Sequence, residues 1–203
     1  SIRRQRQMCI RDSRNSMATP DTRSLLKQMS ESEEFIKATR GRVKDIRMDA
    51  QELCLRFIAF WMRYDSHSGQ LSHLMALTRM LDRTLLELNQ KKKDYHLLLC
   101  ALFKNSMEKC HALFGEEAFS KEDLNLIINR PLFVSWSVVM ATCTLDMETL
   151  QSRRNDAIEL QHKYFGGGEY YNAITSSTAT KKNMELQFEG VRRILEAVSY
   201  THL

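Results

Sequence analysis

RMDAQELCLRFIAFW, residues 47–61, sets the fold class. Asp49 followed three residues later by Glu52 is a capping-box pattern, in which the first carboxylate accepts from an orphan amide of the opening turn and the second reaches back. A helix is expected to begin at Asp49. Leu53, Phe57, Phe60, Trp61 and Tyr64 then recur at three- and four-residue steps, so one face of that helix belongs in a core. Arg56 lies four residues after Glu52, and its stem can follow the apolar edge while its head pairs with the carboxylate. A structural ion pair is favoured here over a ligand contact.

Working outward, the spacing predicts a helix over residues 21–39 with Leu25, Leu26, Met29, Phe35 and Ile36 as its apolar positions, ended by Gly41. A polar turn is expected over 65–70. Leu74, Leu77, Leu81, Leu85 and Leu88 mark a further helix, too short in its repeat for a coiled coil. A long helix over 92–114 carries Tyr95, Leu99, Leu102, Phe103, Cys110 and Leu113, with Gly115 placed to cap its C-terminus. Pro131 opens a helix over 132–145 that lacks charge and so should be the most buried element. Asp146 caps a helix to Phe165, which Gly166, Gly167 and Gly168 break. A short helix over 169–174 and a longer one over 181–198, with Met184, Phe188, Val191 and Leu195, complete the chain. With only two prolines and seven glycines, the expected fold is all-α, an irregular bundle of about seven or eight helices.

The ends carry a different signal. SIRRQRQMCIRDS at residues 1–13 and SYTHL at 199–203 resemble translated sequencing-adapter sequence, which leaves 14–198 as the expected domain. Arg3, Arg4, Arg6 and Arg11 against Asp12 alone supply +3 of the formal +5 charge, and the remainder holds 26 basic and 24 acidic residues. The nucleic-acid hint in a pI of 9.0 mostly disappears with that tail. No apolar run is long enough for a bilayer, and no secretory progression is present, so a soluble, cytoplasmic protein is expected. Cys54, Cys100, Cys110 and Cys143 fall in apolar helical patterns and read as small hydrophobes rather than a disulfide framework.

Candidate chemistry is sparse. Glu108 with His111 and Glu159 with His162 have the Glu-x-x-His spacing of di-iron bundles, but chance supplies about 0.4 such pairs at this composition and Glu108 points off the apolar face. His96 and Cys100 lie one turn apart with no second pair to complete a zinc site. TSSTATKKN, residues 175–183, could cradle a phosphate, although hydroxyl caps explain it more simply. The triple glycine follows a helix and lacks phosphate-loop spacing, and no catalytic motif is found. Arg40, Arg42, Lys44 and Arg47 cluster around Gly41 and are the best candidates for phosphate contact, with a solvated loop as the alternative. Lys91 to Lys93, Arg153 with Arg154, and Arg192 with Arg193 read as solvated faces.

SRNSMATPDTRSLLKQMSESEEF, RMDAQELCLRFIAFW, FGEEAF and YYNAITSSTATKKNMELQFEGVRRIL, taken in succession, resemble the C-terminal helical half of the GmrSD restriction-endonuclease N-terminal-domain family. The likeness covers nearly all of residues 13–198 and is most specific at Arg47, Glu52, Arg56 and Phe57 and over 175–188. It implies a parent protein with a ParB-like nucleotide-binding half bearing an Asp-Gly-Gln-Gln-Arg motif, often with an HNH nuclease domain. Such a protein uses NTP and a divalent metal to restrict modified phage DNA in anti-phage defence. Neither domain is present in this sequence, so no catalytic residue and no cofactor is carried over. Glu52, Arg56 and Thr178 match the family's helical motifs, with a structural role expected. The resemblance therefore implies a helical accessory region partnering the nucleotide-binding domain, a nuclease and DNA; the alternative is a non-catalytic protein–protein interaction scaffold.

Overall fold

A computed structural model describes residues 13–43, 48–121 and 127–200 of the chain. Among the described residues 74% are helical, in 11 helices of which eight have seven or more residues. The described chain opens in a helical turn over 13–17 (α1). There follow α2 (Pro20–Ser30), α3 (Glu33–Ala38), α4 (Asp49–Trp61), α5 (Leu77–Asn89) and α6 (Lys93–Phe114). The remainder are α7 (Arg130–Thr142), α8 (Met147–Ser152), α9 (Arg154–Phe165), α10 (Glu169–Thr175) and α11 (Lys181–Tyr200). No helix among the described residues is long and apolar enough to cross a membrane.

Local chemistry decides where the helices stop. The single helix expected over 21–39 is two, because Ser32 accepts from the Phe35 amide and starts α3 afresh. The break turns Ile36 outward, 48% exposed, so it does not belong to the core. Likewise the helix expected from Asp146 to Phe165 is interrupted at Arg153, which ends α8 and precedes α9; Asp146 does cap α8, accepting from the Thr149 amide at 2.7 Å. The expected turn at 65–70 is the tip of a hairpin, β1 (Tyr64–Asp65) against β2 (Gln70–Leu71). Asp65 accepts from the His67 amide and the Ser68 hydroxyl there, and Gly69 takes φ +69°, which an L side chain resists.

α6 is the central strut, packed by α7, α3, α2, α8 and α9. Its C-terminus closes at Gly115, whose amide still donates to the His111 carbonyl and whose φ of +54° then turns the chain out of the helix. α7 has the buried, nearly charge-free character read from its sequence: every residue from Leu132 to Met140 is buried. Phe35, Phe57, Phe103, Phe119 and Phe133 meet at ring distances of 4.8 to 5.9 Å where α3, α4, α6 and α7 converge. Trp136 packs on Phe114 and donates its indole N–H to Gln161 at 2.7 Å, so the polar atoms of this buried pair are matched. α11 lies along α7 and α10. There Gly190 is required by close approach: a Cβ on it would stand 2.2 Å from the Tyr170 ring.

Candidate functional site

The start of α4 gathers most of the motif residues. Met48 leads in with a left-handed backbone, φ 59° and ψ 31°, and its own side chain makes no capping hydrogen bond. Asp49 and Glu52 are thus not a capping box. Their carboxylates face arginines brought from other elements, and a charge-assisted guanidinium bond outcompetes a lone amide for the same oxygen.

Glu52 is the hub. Arg56, one turn on, places Nη2 2.7 Å and Nε 3.2 Å from its Oε1, so the i,i+4 pair read from the sequence is present. Arg130, in the first turn of α7, puts Nη1 3.7 Å from Glu52 and Nη2 2.5 Å from Asp49 Oδ1. Arg14, on α1, approaches Glu52 Oε2 at 3.8 Å while its Nε donates to Asp82 of α5 at 2.6 Å. Three guanidinium groups thus meet three carboxylates across α1, α4, α5 and α7. The Glu52 and Arg14 side chains are only 10% and 9% exposed. Desolvated this far, each charge depends on its partners, and removal of one leaves the others uncompensated. A cavity of about 40 Å³ beside the hub, lined by Arg14, Leu26, Gln51, Glu52 and Leu85, has room for a few waters and is small for a substrate.

Of the expected phosphate-binding cluster, Arg40 and Arg42 lie among the described residues. Arg40 turns inward: Nη1 donates to the carbonyls of Glu116 and Ala118, the second at 3.2 Å. The reason is local, since the short 3-10 turn Gly115–Glu117 leaves carbonyls that need donors. Arg42 is exposed. Lys44 and Arg47 lie outside the described residues. At the second family-like stretch, Gln187 donates to the carbonyls of Ala173 and Thr178 at 2.8 and 2.9 Å, which fixes Thr178 as part of a closed turn. Thr180 accepts from the Asn183 amide, the capping role that the hydroxyl-rich loop suggested.

One arginine reading is corrected. Arg154 is not on a solvated face: Nε and Nη2 donate to Ala112 and His111 carbonyls at the end of α6. Arg192 lies over the hairpin, its Cδ within 2.5 Å of where a Gly69 Cβ would be. A buried cation absent from the sequence reading, Arg63, donates to the Ala59 carbonyl at 2.7 Å and to Thr84 at 3.0 Å. Burial pushes its guanidinium down from the ordinary value, against the raising charge of Glu87.

The histidines seen to make contacts meet protein groups. Among the described residues no group of three or more His, Cys, Asp and Glu is arranged to hold an ion. His162 pairs with Glu117 at 2.8 Å rather than with Glu159, and buried His96 contacts the Leu88 carbonyl at 3.1 Å. Burial pushes the Cys100 thiol up. His111 is held below its ordinary value by burial first and by the charge of Lys37 next, with Glu116 opposing.

One surface was overlooked in the sequence. Asp94, Leu97, Leu98, Ala101, Asn105 and Glu108 are all exposed and follow the three- and four-residue steps of one helical face. Leu97 and Leu98 are 53% and 50% exposed, although the opposite faces of α6 are deeply buried. The signal was available: HLLLCALF, residues 96–103, is apolar around more of the helix than one buried stripe requires. Comparison of the chain with protein-family models, curated proteins and solved structures finds no match.

Proposed function

We propose that the chain is a non-catalytic helical interaction module whose contact surface is the solvent face of α6. The observation that carries this is the exposure of Leu97 and Leu98, continued by Ala101 along the same line of a helix that the rest of the fold encloses. An apolar ridge of this kind fits the groove of another helix, and covering it returns the transfer free energy that exposure forfeits. The hub at Glu52 holds α1, α4, α5 and α7 together so that the module presents a fixed shape.

A second reading is favoured by exposed Arg42 and by the likeness to GmrSD proteins. In it the chain is the helical accessory region of an NTP-dependent restriction protein and touches DNA through the loop at residues 40–47, with the nucleotide and metal held by the nucleotide-binding domain. Fluorescence anisotropy with a labelled duplex at low and at moderate salt separates the two. The interaction-module reading predicts no salt-dependent binding. Binding that weakens steeply with salt, and weakens again in Arg42→Ala, replaces it with the DNA reading.

A further inference from the structure

Apart from the α6 surface, a cleft of about 600 Å³ opens where α9, α10 and α11 meet, walled in part by Leu160, Lys163, Tyr170, Leu186, Gly190 and Arg193. Its size is that of a small-molecule site. We infer that this cleft binds a small organic anion, a carboxylate or phosphate on an apolar body, which accepts from the Tyr170 hydroxyl and pairs with the Lys163 ammonium.

Two groups of the wall are donors without an acceptor. Tyr170 is only 7% exposed, and its hydroxyl is buried with no hydrogen-bond partner in the protein. A buried hydroxyl left unmatched is costly, and a native fold rarely carries one without a use. Packing accounts for the ring and not for the oxygen: Phe165 stacks on the ring at 6.3 Å, Tyr164 meets it edge-on at 6.0 Å, and Gly190 makes room for it by having no side chain. Burial holds the phenol well above its ordinary value, so it stays protonated and keeps its proton to donate. The charges sort in the same way. Glu189 is paired with Arg193, and Glu169 with Lys182 at 3.0 Å, so both carboxylates lining the cleft are already answered. Lys163 is exposed, and among the described residues its side chain forms no ion pair or hydrogen bond. What the cleft lacks is therefore an acceptor, and a negative one; Leu160 and Leu186 offer contact to its apolar body. The triple glycine gives access. Gly167, which also lines the cleft, and Gly168 take φ of +130° and +96°, and a Cβ on either would meet nothing within 4 Å. The turn from α9 into α10 is thus unencumbered, and α10 can shift to bring the Tyr170 hydroxyl onto the ligand.

NMR titration of the full chain, with labelled tyrosine rings and lysine side chains, tests this using phenyl phosphate, phenylacetate and, as a neutral counterpart, benzyl alcohol. At least one of the two anions is expected to shift the Tyr170 and Lys163 signals together on one saturable curve, with a Kd of about 1 mM. Benzyl alcohol should bind at least roughly tenfold more weakly, and the tighter of the two anions identifies the head group. Tyr170→Phe weakens binding roughly fivefold and, because it removes an unmatched hydroxyl, unfolds at no lower urea concentration than the parent. Lys163→Gln weakens binding roughly fivefold and flattens its salt dependence. The absence of a shift with either anion up to about 50 mM overturns the inference. Equal binding of benzyl alcohol overturns it as well, leaving only an apolar crevice, and so does anion binding that both substitutions leave unchanged. A Tyr170→Phe variant that is clearly less stable also overturns it, since the hydroxyl is then bonded within the protein. Each of these failures leaves the reading of α6 as a contact surface standing, because the two surfaces share no residue.

Discussion

The start of α4 carries charge inside, with Glu52 and Arg14 each about a tenth exposed; α6 carries apolar carbon outside, with Leu97 and Leu98 half exposed. Both depart from the usual distribution, where charged groups face water and large apolar side chains do not line up on a surface. They depart in opposite directions, and the difference is instructive. At α4 the motif arginines satisfy carboxylates within the molecule, so their charge holds the fold together. At α6 nothing within the described residues covers the leucines, and what the surface offers a partner is shape and apolar area.

The contrast breaks first at Glu52. Glu52→Ala leaves Arg14, Arg56 and Arg130 without their shared carboxylate and is expected to lower stability by about 3 kcal/mol in urea unfolding. A loss below about 1 kcal/mol means that water reaches the hub and that these are surface charges after all. A smaller effect is expected for the neutral buried pair. Trp136→Phe removes the donor to Gln161 and costs about 1.5 kcal/mol, so a cost equal to that of Glu52→Ala removes the distinction between charged and neutral interior contacts. The smallest effect concerns pH. The folded-state value of His111 lies below its ordinary one, so the unfolded chain takes up the proton first. The contribution is therefore present above the ordinary imidazole value of about 6.5 and lost as pH falls through the lower folded value. His111→Gln should flatten the decline in melting temperature between about pH 7 and about pH 5; an unchanged slope assigns that decline to other groups.

Local patterns made most of the helices legible. The charge-free run at 132–140 and the glycine after Phe114 define α7 and the end of α6 without reference to anything distant. Ser32 and Arg153 broke two predicted helices because a single capping hydroxyl, or one residue off the helical track, does not disturb an apolar period that continues beyond it. The i,i+4 pair of Glu52 and Arg56 could be read for the same local reason. The rest of the hub could not: Arg130 and Asp49 are 81 residues apart, and Arg14 and Asp82 are 68, so only tertiary packing brings them together. Asp49 and Glu52 consequently read as a cap, which is what the spacing means when no arginine arrives. Arg154 was misread in the same way, since the carbonyls it satisfies belong to the end of α6, remote in sequence. The stripe on α6 was hidden for the opposite reason, because Leu97 and Leu98 adjoin truly buried Leu99 and were absorbed into its apolar run.

The most direct test is a titration with a soluble paramagnetic probe of a protein with labelled leucine methyl groups and arginine nitrogens, followed by NMR. Arg14 Nε and Arg56 Nε both donate to carboxylates, and their N–H resonances should be slow to exchange and little broadened by the probe. The Leu97 and Leu98 methyl resonances should broaden strongly, since both side chains are half exposed. Methyl resonances that are spared while the Arg14 and Arg56 signals exchange away or broaden would contradict the division between an ionic interior and an apolar outer face.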